Sequence, residues 1–178
     1  ELEHPLEAEP WVNLANGADL ELWGKKEEIA WNQTHRQREK YAFYIKAFDF
    51  LTDNDVVGDY FEFGCHRART FRMALTEARR HQLADMSFWA FDSFEGLPKN
   101  KGDHSLGDKW SKGQLTTSQS EFETLIRDFG IYPERVNCIK GYYNQSLNKD
   151  LAVELLQKNI KTSFICIDCD LYESAVPV

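Results

Sequence analysis

Tyr60-Phe61-Glu62-Phe63-Gly64-Cys65-His66-Arg67 is the stretch that decides the fold. Residues 60–63 are strand formers, the run breaks at a glycine, and Ala68, Phe71, Leu75 and Ala78 then recur at helical spacing. A strand that turns through glycine into a helix is the first half of a βαβ unit. The pattern repeats outward from there. Residues 87–91 form a second strand ending at Asp92, residues 136–139 a third ending near Gly141, and residues 164–167 a fourth ending at Asp168. Phe122, Leu125, Ile126 and Phe129 mark a helix that Gly130 stops, and Leu147, Leu151 and Leu155 mark another. Ser118 or Ser120, each with Glu three residues on, offers a capping box. Strands alternating with helices mean an α/β domain with a parallel sheet and right-handed crossovers.

Composition narrows the function. The 178 residues suit one domain, and 42% apolar residues are ample for its core. A net charge of −8 excludes a nucleic-acid surface, which needs clustered Lys and Arg. No apolar stretch is long enough to span a bilayer, and no signal peptide opens the sequence. Three of the four cysteines (65, 138, 166 and 169) lie in or at the ends of predicted strands, which predicts a reduced, cytoplasmic protein. Cys166 and Cys169 form a C-x-x-C, but positions i and i+3 of an extended strand face opposite sides, which argues against a shared metal or disulfide.

Residues 1–33 read as an N-terminal arm, irregular over 1–20 where Pro5, Pro10, Asn16 and Gly17 interrupt any period; residues 34–178 read as the domain. Residues 34–51 form a helix with Tyr41, Tyr44, Ile45, Phe48 and Leu51 on one stripe. That stripe packs against the core or against a second copy in a homodimer, or it lies as a lid over a ligand. Residues 99–117 are polar and aperiodic, long enough to be a functional or mobile loop. The sequence stops at Val178, just after the fourth strand. A parallel sheet ending there exposes an apolar edge and lacks its covering helix, so the natural polypeptide is expected to continue with further strands.

Ligands of open α/β sheets bind outside the carboxyl ends of the strands. Glu62 and Gly64 stand at the first such end, where an acid accepts from an amine or hydroxyl and a glycine lets backbone approach a ligand. Arg67 opposes the dipole of the helix it precedes, which suits an anionic ligand group there; the plainer reading is a solvated arginine. Asp92 stands where an acid accepts both ribose hydroxyls of an adenosine cofactor, or else caps a turn. Gly141 lets backbone approach an adenine ring, with Tyr142 and Tyr143 beside it or in the core. Asp168 and Asp170 are two carboxylates at i and i+2, costly to place together unless a cation or proton compensates. If strand geometry persists, their side chains share a side. One then holds magnesium, which takes one or two carboxylates, and the other removes a proton from an acceptor. Glu173 adds a third acid, and the plainer reading of all three is a solvated acidic loop.

Four stretches together resemble the macrocin O-methyltransferase-like (TylF) family of S-adenosylmethionine-dependent methyltransferases. They are Gly58-Asp59-Tyr60-Phe61-Glu62-Phe63-Gly64, Asp92-Ser93-Phe94-Glu95-Gly96-Leu97-Pro98, Ile139-Lys140-Gly141-Tyr142-Tyr143, and Ile167-Asp168-Cys169-Asp170-Leu171-Tyr172-Glu173-Ser174. The resemblance covers roughly residues 34–178 and rests most on the second and fourth stretches. It implies a Rossmann-like class I methyltransferase domain, a three-layer sandwich of seven strands of which four are seen here. It implies S-adenosyl-L-methionine and Mg2+ as cofactors, and a small-molecule hydroxyl, such as a sugar hydroxyl, as acceptor. The cofactor-binding residues expected are Glu62, Phe63, Gly64, Arg67, Asp92, Ser93, Gly141, Tyr142 and Asp168, with Asp168 also the metal ligand and Asp170 the catalytic base. The remaining family metal ligands lie beyond Val178. Where the family carries small glycines shortly after the first motif glycine, this chain carries Ala68 and Arg69. Two other readings compete: a metal-dependent glycosyltransferase using Asp168-x-Asp170, and a non-catalytic module of the same fold.

Overall fold

β1 (Asp59–Phe63), β2 (Phe88–Asp92), β3 (Val136–Lys140) and β4 (Thr162–Ile167) form a parallel sheet in the order β3-β2-β1-β4. The computed structural model describes residues 25–99 and 111–178, with side chains from Gln37 onward. Each strand expected from the pattern is present, its ends within two residues of the sequence reading. Phe63 pairs with Phe91 on one side and Ile167 on the other, and Asp92 pairs with Lys140. The carboxyl ends therefore finish together along one edge.

Alternation along the strands divides the core into two layers. Tyr60 and Phe88 face a first layer with Tyr44, Phe48, Phe71 and Phe122, supplied by α1 (Lys25–Asp53), α2 (Arg69–Arg80) and α3 (Gln119–Phe129). Phe61, Phe63, Trp89 and Phe91 face a second layer, against which Leu151 and Leu155 of α5 (Lys149–Gln157) pack. α4 (Tyr143–Ser146) and α6 (Tyr172–Ala175) are single turns that follow β3 and β4. Helices on both faces of a parallel sheet make the three-layer α/β sandwich expected. β1 is buried along its whole length and β2 as far as Phe91 because both faces are covered. Asp59 locks their register at the other end: its carboxylate accepts from the Ser87 N–H (3.0 Å) and the Trp89 indole (2.8 Å).

The first helix starts at Lys25, inside the stretch read as arm, and runs past residue 51 to Asp53. Its aromatic stripe belongs to the core. Tyr44, Phe48 and Leu51 are buried, and Phe164 of β4 lies 5.5 Å from the Tyr44 ring and 5.8 Å from the Phe48 ring. The stripe is thus spent on this chain's own sheet. Residues 1–24 of the arm and 100–110 of the 99–117 loop lie outside the described residues. The described ends of that loop are tied together, with Leu97 N–H donating to Gln114 O and Gly113 N–H to Leu97 O, both at 2.9 Å. No described helix is long and apolar enough to cross a membrane.

Candidate active site

A cavity of about 740 Å³ opens at the carboxyl edge of the sheet. Of the residues expected at a ligand, Gly64, Arg67, Asp92, Ser93, Gly141, Tyr142, Asp168 and Asp170 line it. Glu62 and Phe63 do not. The alternation that builds the two layers withdraws both: Phe63 stacks on Phe91 (4.4 Å) in the second layer, and Glu62 points into the first.

Glu62 is fully buried there. The Thr70 hydroxyl donates to one carboxyl oxygen (2.8 Å) and the Tyr60 hydroxyl to the other. The Tyr44 hydroxyl lies 2.8 Å from that of Tyr60, extending the chain to α1. Burial pushes the Glu62 carboxyl up to about 8; the two hydroxyls oppose that rise and the Asp168 charge adds to it. Glu62 is therefore largely protonated at neutral pH, and only Thr70 of this chain of groups reaches the cavity wall.

Gly64 has φ +91°, and a Cβ there would collide with the Asp168 carbonyl. The close neighbour that makes glycine necessary is thus the backbone after β4. Asp92 works as a brace. One carboxylate oxygen accepts from the Cys65 N–H (2.8 Å) and the His66 N–H (3.2 Å), the other from the Phe94 N–H (2.8 Å). It ties the β1–α2 turn to the turn after β2. Ser93 closes that second turn by donating to Gly96 O (2.8 Å). The β1–α2 turn itself holds His66 at φ +35° and Ala68 at φ +58°, left-handed positions that glycine occupies at lower cost. Arg67 is exposed on this turn and forms no ion pair with another described residue.

At the other end of the cavity, β4 stops at Ile167, and Asp170 takes φ +60°. The extended geometry that would align Asp168 with Asp170 is lost by Asp170, whereas the Asp168 N–H still donates to Phe63 O at 2.9 Å; both residues line the cavity. Lys40 of α1 donates to the Asp168 carboxylate at 2.7 Å. Among the described residues no three His, Cys, Asp or Glu side chains gather as a metal site. The donor set present, Asp168 held by an ammonium, does not fit a divalent cation as it stands. Cys166 packs with the first layer and Cys169 with the second, so the C-x-x-C is split across the sheet as its spacing requires.

Three further cavity residues were not among those expected at a ligand. Gln37 and Lys40 come from α1, and His66 donates to the Leu115 carbonyl at 2.7 Å, holding the end of the long loop over the cavity. The α1 pair had one available signal: both are polar residues on a helix whose neighbouring stripe is core, placed one turn apart.

Comparison with known proteins agrees with this architecture. The O-methyltransferase NovP superposes with a TM-score of 0.65 at 23% identity, covering 79% of this chain and 57% of NovP. CalS11, a calicheamicin methyltransferase, superposes with a TM-score of 0.65 at 19% identity, covering 100% of this chain and 73% of CalS11. At these identities the likeness shows the fold. In sequence, demethyldecarbamoylnovobiocin O-methyltransferase of Streptomyces niveus is 27% identical over 126 residues, which is 68% of this chain and 45% of that relative. The chain spans about half the length of the curated relative it matches. The profile of the family described as macrocin-O-methyltransferase (TylF) matches residues 29–178, which include every strand and every cavity-lining residue named above, and the chain belongs to that family.

Proposed function

We propose that the chain forms the cofactor-binding part of an S-adenosylmethionine-dependent O-methyltransferase that acts on a hydroxyl of a small molecule, with a sugar hydroxyl the leading candidate. One observation carries the reading: Asp92, Gly64 and Gly141 meet at one cavity on the carboxyl edge of a Rossmann-like sheet. The volume of that cavity falls in the range of small-molecule sites, roughly 300–1,000 Å³. Asp92 spends most of its acceptor capacity on three backbone N–H groups. The oxygen that takes the Phe94 N–H has besides it only a long contact from the Ser93 hydroxyl (3.5 Å) and keeps room for a ribose hydroxyl. Asp92 therefore takes one hydroxyl of the diol rather than both. The bound cofactor supplies an electrophilic methyl group. Asp170, exposed on the cavity wall, would take the proton of an acceptor hydroxyl as that oxygen received the methyl group. Tyr142 and the Gly141 backbone, both on the cavity wall, would flank the nucleobase. Magnesium is implied by the family resemblance alone, and no step here is routed through it.

Calorimetry of the full-length protein with S-adenosylhomocysteine tests the reading. Binding is expected, and Asp92→Asn should weaken it roughly ten- to hundredfold, the loss of one charge-assisted hydrogen bond. Binding of a uridine-diphosphate sugar in place of S-adenosylhomocysteine would replace the reading with the glycosyltransferase one. Cofactor binding without methyl transfer to any of a panel of hydroxyl acceptors would replace it with the non-catalytic one.

A further inference from the structure

Lys40 and Asp168 stand 128 positions apart in sequence and meet on the wall of one cavity. The Lys40 ammonium donates to Asp168 Oδ2 at 2.7 Å, the short distance of a charge-assisted bond. Exposed ion pairs are often incidental, because two long side chains must be held in one geometry. Here both backbones are held. Tyr44, one helical turn beyond Lys40, is buried with its ring 5.5 Å from that of Phe164 in β4, and its hydroxyl lies 2.8 Å from that of Tyr60. The packing that fixes Tyr44 therefore sets Lys40 beside the end of β4. On the other side, the Asp168 N–H donates to Phe63 O at 2.9 Å, and the Asp168 carbonyl lies against Gly64. The pair also acts on the interior. After burial and its two hydroxyl partners, the Asp168 charge raises the Glu62 carboxyl and the Lys40 charge lowers it.

We infer that Lys40 is the resident cation of Asp168, and that its ammonium and a divalent metal ion exclude each other there. Magnesium bound to Oδ2 would stand about 2.1 Å from that oxygen. An ammonium that stays 2.7 Å from the same oxygen would then lie within about 5 Å of the metal. Two cations at that range repel strongly on a partly desolvated wall. Further carboxylates gathered around Asp168 would offset the repulsion. Asp170 and Glu173 line the same cavity, but among the described residues no three His, Cys, Asp or Glu side chains come together as a metal group. A divalent ion therefore reaches Asp168 only as Lys40 leaves it. The flexible four-carbon stem lets the ammonium swing away while the helix stays on the sheet. The exclusion concerns these two residues alone and holds whichever ligand fills the cavity.

The test titrates the full-length protein with Mn2+ alone, in the absence of cofactor and acceptor, and reads the free ion by electron paramagnetic resonance. Lys40→Met removes the charge and keeps most of the stem, so it should bind Mn2+ roughly tenfold or more tightly than the unmodified protein. Lys40→Gln, uncharged and polar, should gain as much, and it carries the test if the Met variant does not fold. Lys40→Arg keeps the charge and should bind Mn2+ as the unmodified protein does. Adding Asp168→Asn to Lys40→Met should abolish the gain, which places the ion at Asp168. A urea midpoint for each variant reports that it is folded. Equal Mn2+ affinity with and without the Lys40 charge, or no Mn2+ binding in any variant, would overturn the inference. So would weaker binding in Lys40→Met, because Lys40 would then support a metal rather than exclude it. A gain in Lys40→Arg as large as in Lys40→Met would overturn it too, as would a gain that survives Asp168→Asn. Each of these outcomes leaves the S-adenosylmethionine reading standing, since no cofactor is present.

Discussion

Glu62 sits at the end of β1, two residues before the turn, where motif logic puts a ligand contact, and the fold uses it otherwise. With its carboxyl near 8 in the folded chain and near 4.5 in the unfolded one, stability depends on pH in a fixed direction. Below 4.5 both states hold the proton and the group costs nothing. Between 4.5 and 8 the folded state keeps a proton that the unfolded state has released, so stability falls as pH rises, by up to about 1.4 kcal/mol per pH unit. Above 8 the loss levels off. Glu62→Gln keeps a group that hydrogen-bonds both neighbouring hydroxyls and removes the titration. Urea denaturation across this pH window should show a flatter profile for the variant, and an unchanged slope would mean that Glu62 is already charged in the fold. Gly64, Asp92 and Asp168 were legible as residues of the cavity edge, but their immediate partners were not. Gly64 is glycine because of the Asp168 carbonyl, Asp92 is largely taken by backbone N–H groups, and Asp168 is held by a lysine 128 positions away in sequence. Such pairings depend on which turns meet in space, and local spacing does not encode that. Gln37 was illegible for the same reason, since its place over the cavity follows from how α1 crosses the sheet.

At the scale of elements, strands and capped helices were the legible part because their signals are local. The capping box offered at Ser118 or Ser120 forms at Ser118, whose hydroxyl accepts from the Glu121 N–H (3.3 Å) while Glu121 accepts from the Ser118 N–H (2.7 Å). Gly130 caps the end of α3 in an extended conformation, and a Cβ there would sit 2.6 Å from the Ile126 carbonyl, so the position needs glycine. Ser118→Ala should cost about 1 kcal/mol, the usual worth of an N-cap, read as a lower urea midpoint at constant slope. An unaffected midpoint would show that packing of Phe122 and Ile126 alone holds α3 in place. The start of α1 was not legible. The stripe that identifies a helix begins only where α1 meets the sheet, and residues 25–33 continue it with no periodic apolar face of the same strength. The turns α4 and α6 are four residues each, too short for any periodic pattern to register.

For the whole molecule, the two-layer core follows from strand alternation, whereas the order β3-β2-β1-β4 follows from which faces the helices cover. The layers also partition the thiols. Cys65, Cys138 and Cys166 belong to the first layer and Cys169 to the second. Burial pushes Cys138 up to about 12 and Cys166 and Cys169 to about 11, and raises Cys65 well above the ordinary thiol value. Only the thiolate attacks an alkylating reagent, so a rise from 9 to about 11 leaves roughly a hundredfold less reactive species at neutral pH, before access is counted. Iodoacetamide should therefore label the native chain at least roughly a hundredfold more slowly than the chain in urea, and comparable rates would contradict this placement of the cysteines. The four side chains then act as clocks built into the two sides of the sheet. Mass spectrometry of labelled peptides would read Cys65 as the time at which the α1–α2 side first opens, and Cys169 as the time for the opposite side. Coincident clocks would mean that the sandwich comes apart as one unit, and a faster Cys169 that the α5 side peels away first.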